Sequence, residues 1–246
     1  MLSGGWRTLC TGGVLLLAAC TPDGPPPIEP VSVEATYQLT FNDRIVGNSL
    51  FVMQIASDGA YRIEAFTTPA GEMQQADGHE VLETSTGIID SDAVYPHRFE
   101  ASTVAGEEIR LDRLVFDWEK RLQHRGGALG ERTAALLPGT QDRLSYLLAA
   151  SRLAAVGRGD AAVQIVSPGE TDSTRLQVVG EEAIDVPLGH YETVAIRRLT
   201  PEPNVVRALW FDSGLSPLPL RVVHGWAGNT VDMQLESLNR RPSHPH

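Results

Sequence analysis

The residue best placed for covalent chemistry is Cys20, which closes the run Leu17-Ala18-Ala19-Cys20. Its thiol is a soft nucleophile, and alkylation at sulfur gives a stable thioether. The small residues before it suit a cleavage site. The other cysteine, Cys10, lies upstream in the same segment. Removal of residues 1–19 would leave no second thiol for a disulfide, a thiolate nucleophile or a metal cluster.

Elsewhere the reactive side chains form no recognisable set. Ser49 sits in Gly47-Asn48-Ser49-Leu50-Phe51, which lacks the second glycine of a nucleophile elbow. Ser145 stands near a helix start, where serine commonly caps. His79-Glu80 lacks the second histidine of a zinc-protease helix. His97, His124, His190 and His224 are scattered, and His244 and His246 lie in the tail. No metal ligand set, catalytic residue or cofactor-binding residue is therefore assigned. Gly157-Arg158-Gly159-Asp160-Ala161-Ala162 follows a helix and precedes a strand, the reverse of a dinucleotide loop. Gly126-Gly127-Ala128-Leu129-Gly130 lacks the Lys-Ser/Thr of a P-loop and reads as a flexible loop. Glu107-Glu108 and Glu181-Glu182 read as solvated faces by turns.

The elements around Cys20 explain its setting. Arg7 and the amino terminus are positive, and the apolar run from Leu9 to Ala19 is about half a membrane span. Residues 21–30 hold five prolines and form an extended spacer. A plain secretory signal would need only the small residues. Leu-Ala-Ala-Cys with these flanks resembles the lipobox of bacterial lipoproteins. That resemblance implies a diacylglyceryl thioether on Cys20, cleavage before it, and acylation of the new amino terminus. One acyl chain anchors marginally, whereas several hold a protein on a membrane. Thr21 stands where aspartate would imply inner-membrane retention. The implied location is the outer membrane of a Gram-negative envelope, on its periplasmic face.

The formal net charge is −11, and loss of Arg7 would make it −12. That balance argues against nucleic acid as a partner. It argues equally against broad adhesion to anionic lipid heads.

From Val33 the chain alternates. Val33, Ala35, Tyr37, Leu39 and Phe41 interleave with Glu34, Thr36, Gln38 and Thr40, so one face is apolar. Turn signals at Asn42-Asp43, Asp58-Gly59, Asp77-Gly78, Pro168-Gly169 and Gly228-Asn229 punctuate similar stretches. Tyr95-Pro96 is expected to break a strand. About 11–13 strands are expected, forming a mainly β fold: a large antiparallel barrel or half-barrel. One amphipathic helix is expected over about 141–156. Thr140 can cap it, Leu144, Leu147, Leu148, Ser151, Ala154 and Ala155 form its stripe, and Gly157 ends it. The stripe should plug or cover an end of the β structure. The organisation is a signal over 1–19, a linker over 20–32, one β domain over 33–239, and a disordered tail over 240–246.

The order of motifs in the second half carries a further resemblance. Asp142-Arg143-Leu144-Ser145 opens the helix. Val186-Pro187-Leu188-Gly189-His190-Tyr191-Glu192-Thr193, Ala208-Leu209-Trp210-Phe211-Asp212 and Pro217-Leu218-Pro219-Leu220-Arg221-Val222 follow. With Tyr37 to Phe41 and Ile45-Val46-Gly47, this resembles domain-of-unknown-function family 3108, over about 33–238. The resemblance implies an exported, barrel-like domain and no established reaction. At matching positions, Pro187-Leu188-Gly189 should turn, Trp210 should fill core, Asp212 should open a turn, and Pro219 should start or edge a strand.

These readings describe a non-enzymatic lipoprotein that binds an apolar ligand or an envelope partner. The alternative is a structural or assembly factor of the outer membrane with a filled barrel. An envelope-polymer hydrolase ranks third.

Overall fold

Alternation of apolar and polar residues builds one continuous sheet. The computed structural model describes residues 29–71, 78–90, 93–128, 130–202, 204–212, 214–215 and 217–242. Cys20, the segment 1–19 and most of the linker lie outside them. The N-terminal strands are β1 (Val31–Phe41), β2 (Arg44–Ile55), β3 (Ala60–Pro69), β4 (Glu80–Ile89), β5 (Val94–Ala105), β6 (Glu108–Asp117), β7 (Leu122–Gly127) and β8 (Arg132–Ala135). After β9 (Thr140–Gln141) comes helix α1 (Ser145–Val156). The remaining strands are β10 (Asp160–Val166), β11 (Thr171–Val186), β12 (Gly189–Leu199), β13 (Val205–Phe211), β14 (Arg221–Trp226) and β15 (Asn229–Pro242).

Two meanders meet at the first and last strands. The order is β8-β7-β6-β5-β4-β3-β2-β1-β15-β14-β13-β12-β11-β10-β9. Every pair is antiparallel except β9 with β10. Val31 pairs with Pro242 and Phe41 with Val231. The sheet does not close by hydrogen bonding, but it curls until its far ends touch. Arg125 on β7 donates to the Ser167 carbonyl at 3.4 Å and to the Thr171 hydroxyl. Gln141 donates to the Val94 carbonyl on β5, 2.8 Å away. Of the expected barrel or half-barrel, the open and curled form is observed, with fifteen strands instead of the expected 11–13 because the short β8 and β9 add to the sheet.

Local chemistry explains the turns. Asn42 and Asp43 both have positive φ, 47° and 63°, as a two-residue hairpin turn requires. Gly87 sits at a register shift, where a Cβ would lie 2.2 Å from the Tyr95 carbonyl oxygen. Pro96 faces Gly87 there, so Tyr95-Pro96 continues β5 instead of breaking it.

The helix lies against the concave face, packed on β5 and on β10 to β13. Leu144, Leu147, Leu148, Ala150 and Ala154 are buried, while Ser151 is half-buried and Ala155 exposed. The helix starts at Ser145, later than expected, because Gln141 belongs to β9. Thr140 does not cap it, since its hydroxyl donates to the Leu137 carbonyl. Asp142 serves that end instead, accepting the Leu144 and Ser145 amides at 2.8 Å each. Gly157 stops the helix with φ 72°. None of the helices described is long and apolar enough to cross a membrane.

Other corrections follow from pairing. Gly126 and Gly127 are in β7, paired with Arg113 and Asp112, not in a flexible loop. Arg240, Arg241 and Pro242 pair with β1, so the expected disordered tail begins as strand. Its last four residues lie outside the described set. Trp210 is only partly buried, packed against the core and not within it: it pairs with Arg221, donates to Glu182 at 2.9 Å and stacks on the Arg221 guanidinium. Asp212 does open a turn, accepting the amides of Gly214 and Leu215.

Candidate functional site

The concave face changes character from one end of the sheet to the other. Tyr37 and Leu235 face each other at 1% exposure each. Two residues on, the partners Leu39 and Met233 are half-buried. Two further, Phe41 is 37% exposed beside Val231. Opposite them, fully buried Ser85 gives way to Glu83, and buried Ile196 and Leu209 give way to Arg198 and Arg207. The interior therefore opens into a mouth. Just before α1, Arg143 is exposed, and on its first turns Tyr146 and Ala149 are half-buried and three residues apart on one helix face.

Register identifies the inward side chains. Ile196 and Leu209 are paired core residues, so Arg198 and Arg207, each two positions away, share their face. Arg207 pairs with His224, His224 with Val231, and Val231 with Phe41. This is one cross-strand row running from a guanidinium to a phenyl ring. Trp226 packs on both His224 and Phe41, with ring centroids 5.0 and 6.2 Å apart.

The charges are tightly organised. Arg198 and Arg207 both donate to Oδ2 of Asp172. Burial pushes the Asp172 carboxyl up, but the two guanidiniums outweigh it and hold the carboxyl below its ordinary range. Arg207 Nε donates to His224 Nε2 at 3.2 Å, so the imidazole accepts there and is neutral. Burial, Arg207 and Arg198 all hold its pKa down. Tyr146 lies near enough for both arginines to act on its hydroxyl, although burial dominates and raises it. Across the mouth, Glu83 pairs with Arg143, and burial still holds its carboxyl above the usual value.

A second polar group sits deeper and is structural. Asp142 is fully buried, and Ser85 donates to it at 2.7 Å. Ser85 has one proton, so Tyr61 is the donor across the 3.2 Å contact between them. Ser145 accepts the Asp142 amide at 2.8 Å. Ser145 is thus a helix-start residue, and Ser49 is buried and bonded to Thr67 at 2.8 Å. His124 contacts Thr133 and His190 contacts Asp185. Among the described residues, no three His, Cys, Asp or Glu side chains are placed to hold a metal ion.

The sequence reading singled out His224 but none of Tyr146, Asp172, Arg198 and Arg207. A signal was present in Arg197-Arg198. Neighbouring residues in a strand face opposite sides, so one of two adjacent arginines has to point inward. On the convex face, Leu50, Phe66 and Leu82 pair directly and are 37%, 39% and 45% exposed, with Leu111 beyond Ser102. An open groove of about 520 Å³ lies beside them, lined by Leu82, Leu111, Arg113 and Arg132 among others.

The family model described as "Protein of unknown function (DUF3108)" matches residues 36–236. No curated protein matches the chain in sequence. A crystal structure of a beta-barrel-like protein of domain of unknown function DUF1849 from Brucella abortus superposes with a TM-score of 0.57. Identity is 13%, over 87% of this chain and all of that one. That likeness shows a β-barrel-like fold. A crystal structure of a candidate lipoprotein from Parabacteroides distasonis ATCC 8503 gives a TM-score of 0.32 at 11% identity, over 89% of this chain and 99% of that one.

Proposed function

The chain belongs to the family described as Protein of unknown function (DUF3108), and from that premise we propose a non-enzymatic, lipid-anchored envelope protein whose barrel mouth binds an apolar ligand. The observation that carries this reading is the accessible apolar wall of Leu39, Phe41, Trp226, Val231 and Met233, on the same face as the buried core. A concave, largely apolar wall with a few fixed polar groups suits small-molecule binding. Leu17-Ala18-Ala19-Cys20 supports the anchor and, with Thr21, the periplasmic face of the outer membrane. Net charge supports exclusion of nucleic acid.

A second reading has its own support. Helix α1 buries Leu147, Leu148, Ala150 and Ala154 in the interior, and Leu50, Phe66, Leu82 and Leu111 form an apolar row on the convex face. Those features suit an assembly factor that docks an envelope protein.

Native mass spectrometry of the full chain carrying Cys20→Ala separates the two readings. A co-purified small apolar molecule is expected, and its consistent absence overturns ligand binding. Radiolabelled palmitate tests the anchor. Wild type should take the label and float with outer-membrane fractions, and a Cys20→Ala protein that still carries it sinks the lipid assignment.

A further inference from the structure

We infer that the mouth takes a single-chain amphiphile with a carboxylate head, held by Arg198 and Arg207, its apolar body lying along Phe41 and Trp226. The inference rests on the mouth being a ligand site and adds the chemistry of the ligand. The row Arg207–His224–Val231–Phe41 places cationic, neutral polar, aliphatic and aromatic side chains in sequence across four neighbouring strands. A molecule lying along that row meets charge at one end and hydrocarbon at the other.

The charge balance at the cationic end favours an anion. Two guanidiniums, with side chains only 14% and 22% exposed, share one carboxylate oxygen. His224 adds no charge to compensate, since it accepts from Arg207. Glu83 faces Arg143, and Glu170 and Glu202 lie exposed at the rim, where water and salt screen them. One positive charge is left in a partly dehydrated wall, where charge is costly without a partner. Guanidinium groups match carboxylates in shape as well as charge, and Asp172 already shows this pair accepting one.

The test compares 11-(dansylamino)undecanoate with its methyl ester, which keeps the body and loses the charge. Fluorescence titration uses the full chain carrying Cys20→Ala, so that no covalent acyl chain competes. The acid is expected to bind about tenfold more tightly than the ester, the effect of a charge-assisted contact. Arg207→Gln should bring the acid down to the level of the ester, with circular dichroism confirming the fold. Phe41→Ser, at an exposed position, should weaken both probes alike. Equal binding of acid and ester by the unaltered mouth overturns the carboxylate assignment while keeping an apolar site. Preference for the acid that survives Arg207→Gln overturns the assignment to this pair. Binding of neither probe overturns both the inference and the ligand reading beneath it.

Discussion

Tyr37 on β1 donates to the carbonyl of Pro219 from 2.8 Å, a bond between residues 182 positions apart. Burial pushes the hydroxyl far above its ordinary pKa, so it stays a neutral donor. Its ring meets Phe51 edge-on at 5.2 Å. The contact ties the segment before β14 to the sheet from inside. Tyr37→Phe keeps the ring and strands the carbonyl. A loss of about 1–3 kcal/mol is expected in urea unfolding, and an unchanged midpoint would show that the carbonyl has another partner.

Asp142 gives the chain a pH dependence of definite sign. Burial raises its pKa above 3.8, although Ser145, Ser85 and Leu144 pull the other way through hydrogen bonds. A carboxyl with a raised folded-state pKa holds its proton more tightly when folded. Its contribution is fully present below about pH 4 and fades as pH climbs through and beyond that value. Asp142→Asn keeps the acceptor for the helix amides and cannot ionise. Its stability relative to wild type should therefore rise between pH 4 and pH 7 in parallel urea melts. A difference independent of pH would contradict this.

Leu148 is fully buried on α1. Leu148→Ala should cost about 2–5 kcal/mol through lost burial and the cavity left behind. Thermal unfolding followed by circular dichroism reads the effect. A cost well under 1 kcal/mol would mean that the helix packs loosely on the sheet.

Gly87 allows two close approaches at once. A Cβ there would meet the Tyr95 carbonyl oxygen at 2.2 Å and the Tyr61 ring at 2.8 Å. Gly87→Ala should destabilise by about 1–3 kcal/mol, the usual range for overpacking. Tyr61→Ala removes the ring that the new methyl would meet, so the double variant should cost less than the sum of the two single changes. Strict additivity of the two changes would show that the ring is not the obstacle.

The sequence made β1 legible because every second residue is apolar, and those from Val31 to Tyr37 are buried. It left β8 invisible because Arg132 to Ala135 are all exposed and show no alternation. β9 is two residues long and could only be found through its partners Gln164 and Ile165. The helix start was misread because Thr140, Gln141 and Asp142 resemble a surface capping turn, yet all three are buried. The size of Trp210 suggests full burial, whereas its position opposite Arg221 and its bond to Glu182 leave it half-buried at the edge of the core. The mouth was hidden for a different reason. Asp172, Arg198 and Arg207 meet only after three strands pair, and local periodicity carries no information about that pairing.

The pairing of β1 with β15 also sets an order of events. Synthesis delivers β1 early and β15 last, so one long edge of β1 waits without a partner through most of elongation. Contacts of such high sequence separation form slowly, because the intervening loop must close first. The N-terminal meander can assemble locally, but Tyr37 gains its cover of Leu235 and Pro219 only when the C-terminal region arrives. Completion of the core therefore waits for β15. The nascent protein is most exposed to aggregation and proteolysis just before its last strand docks.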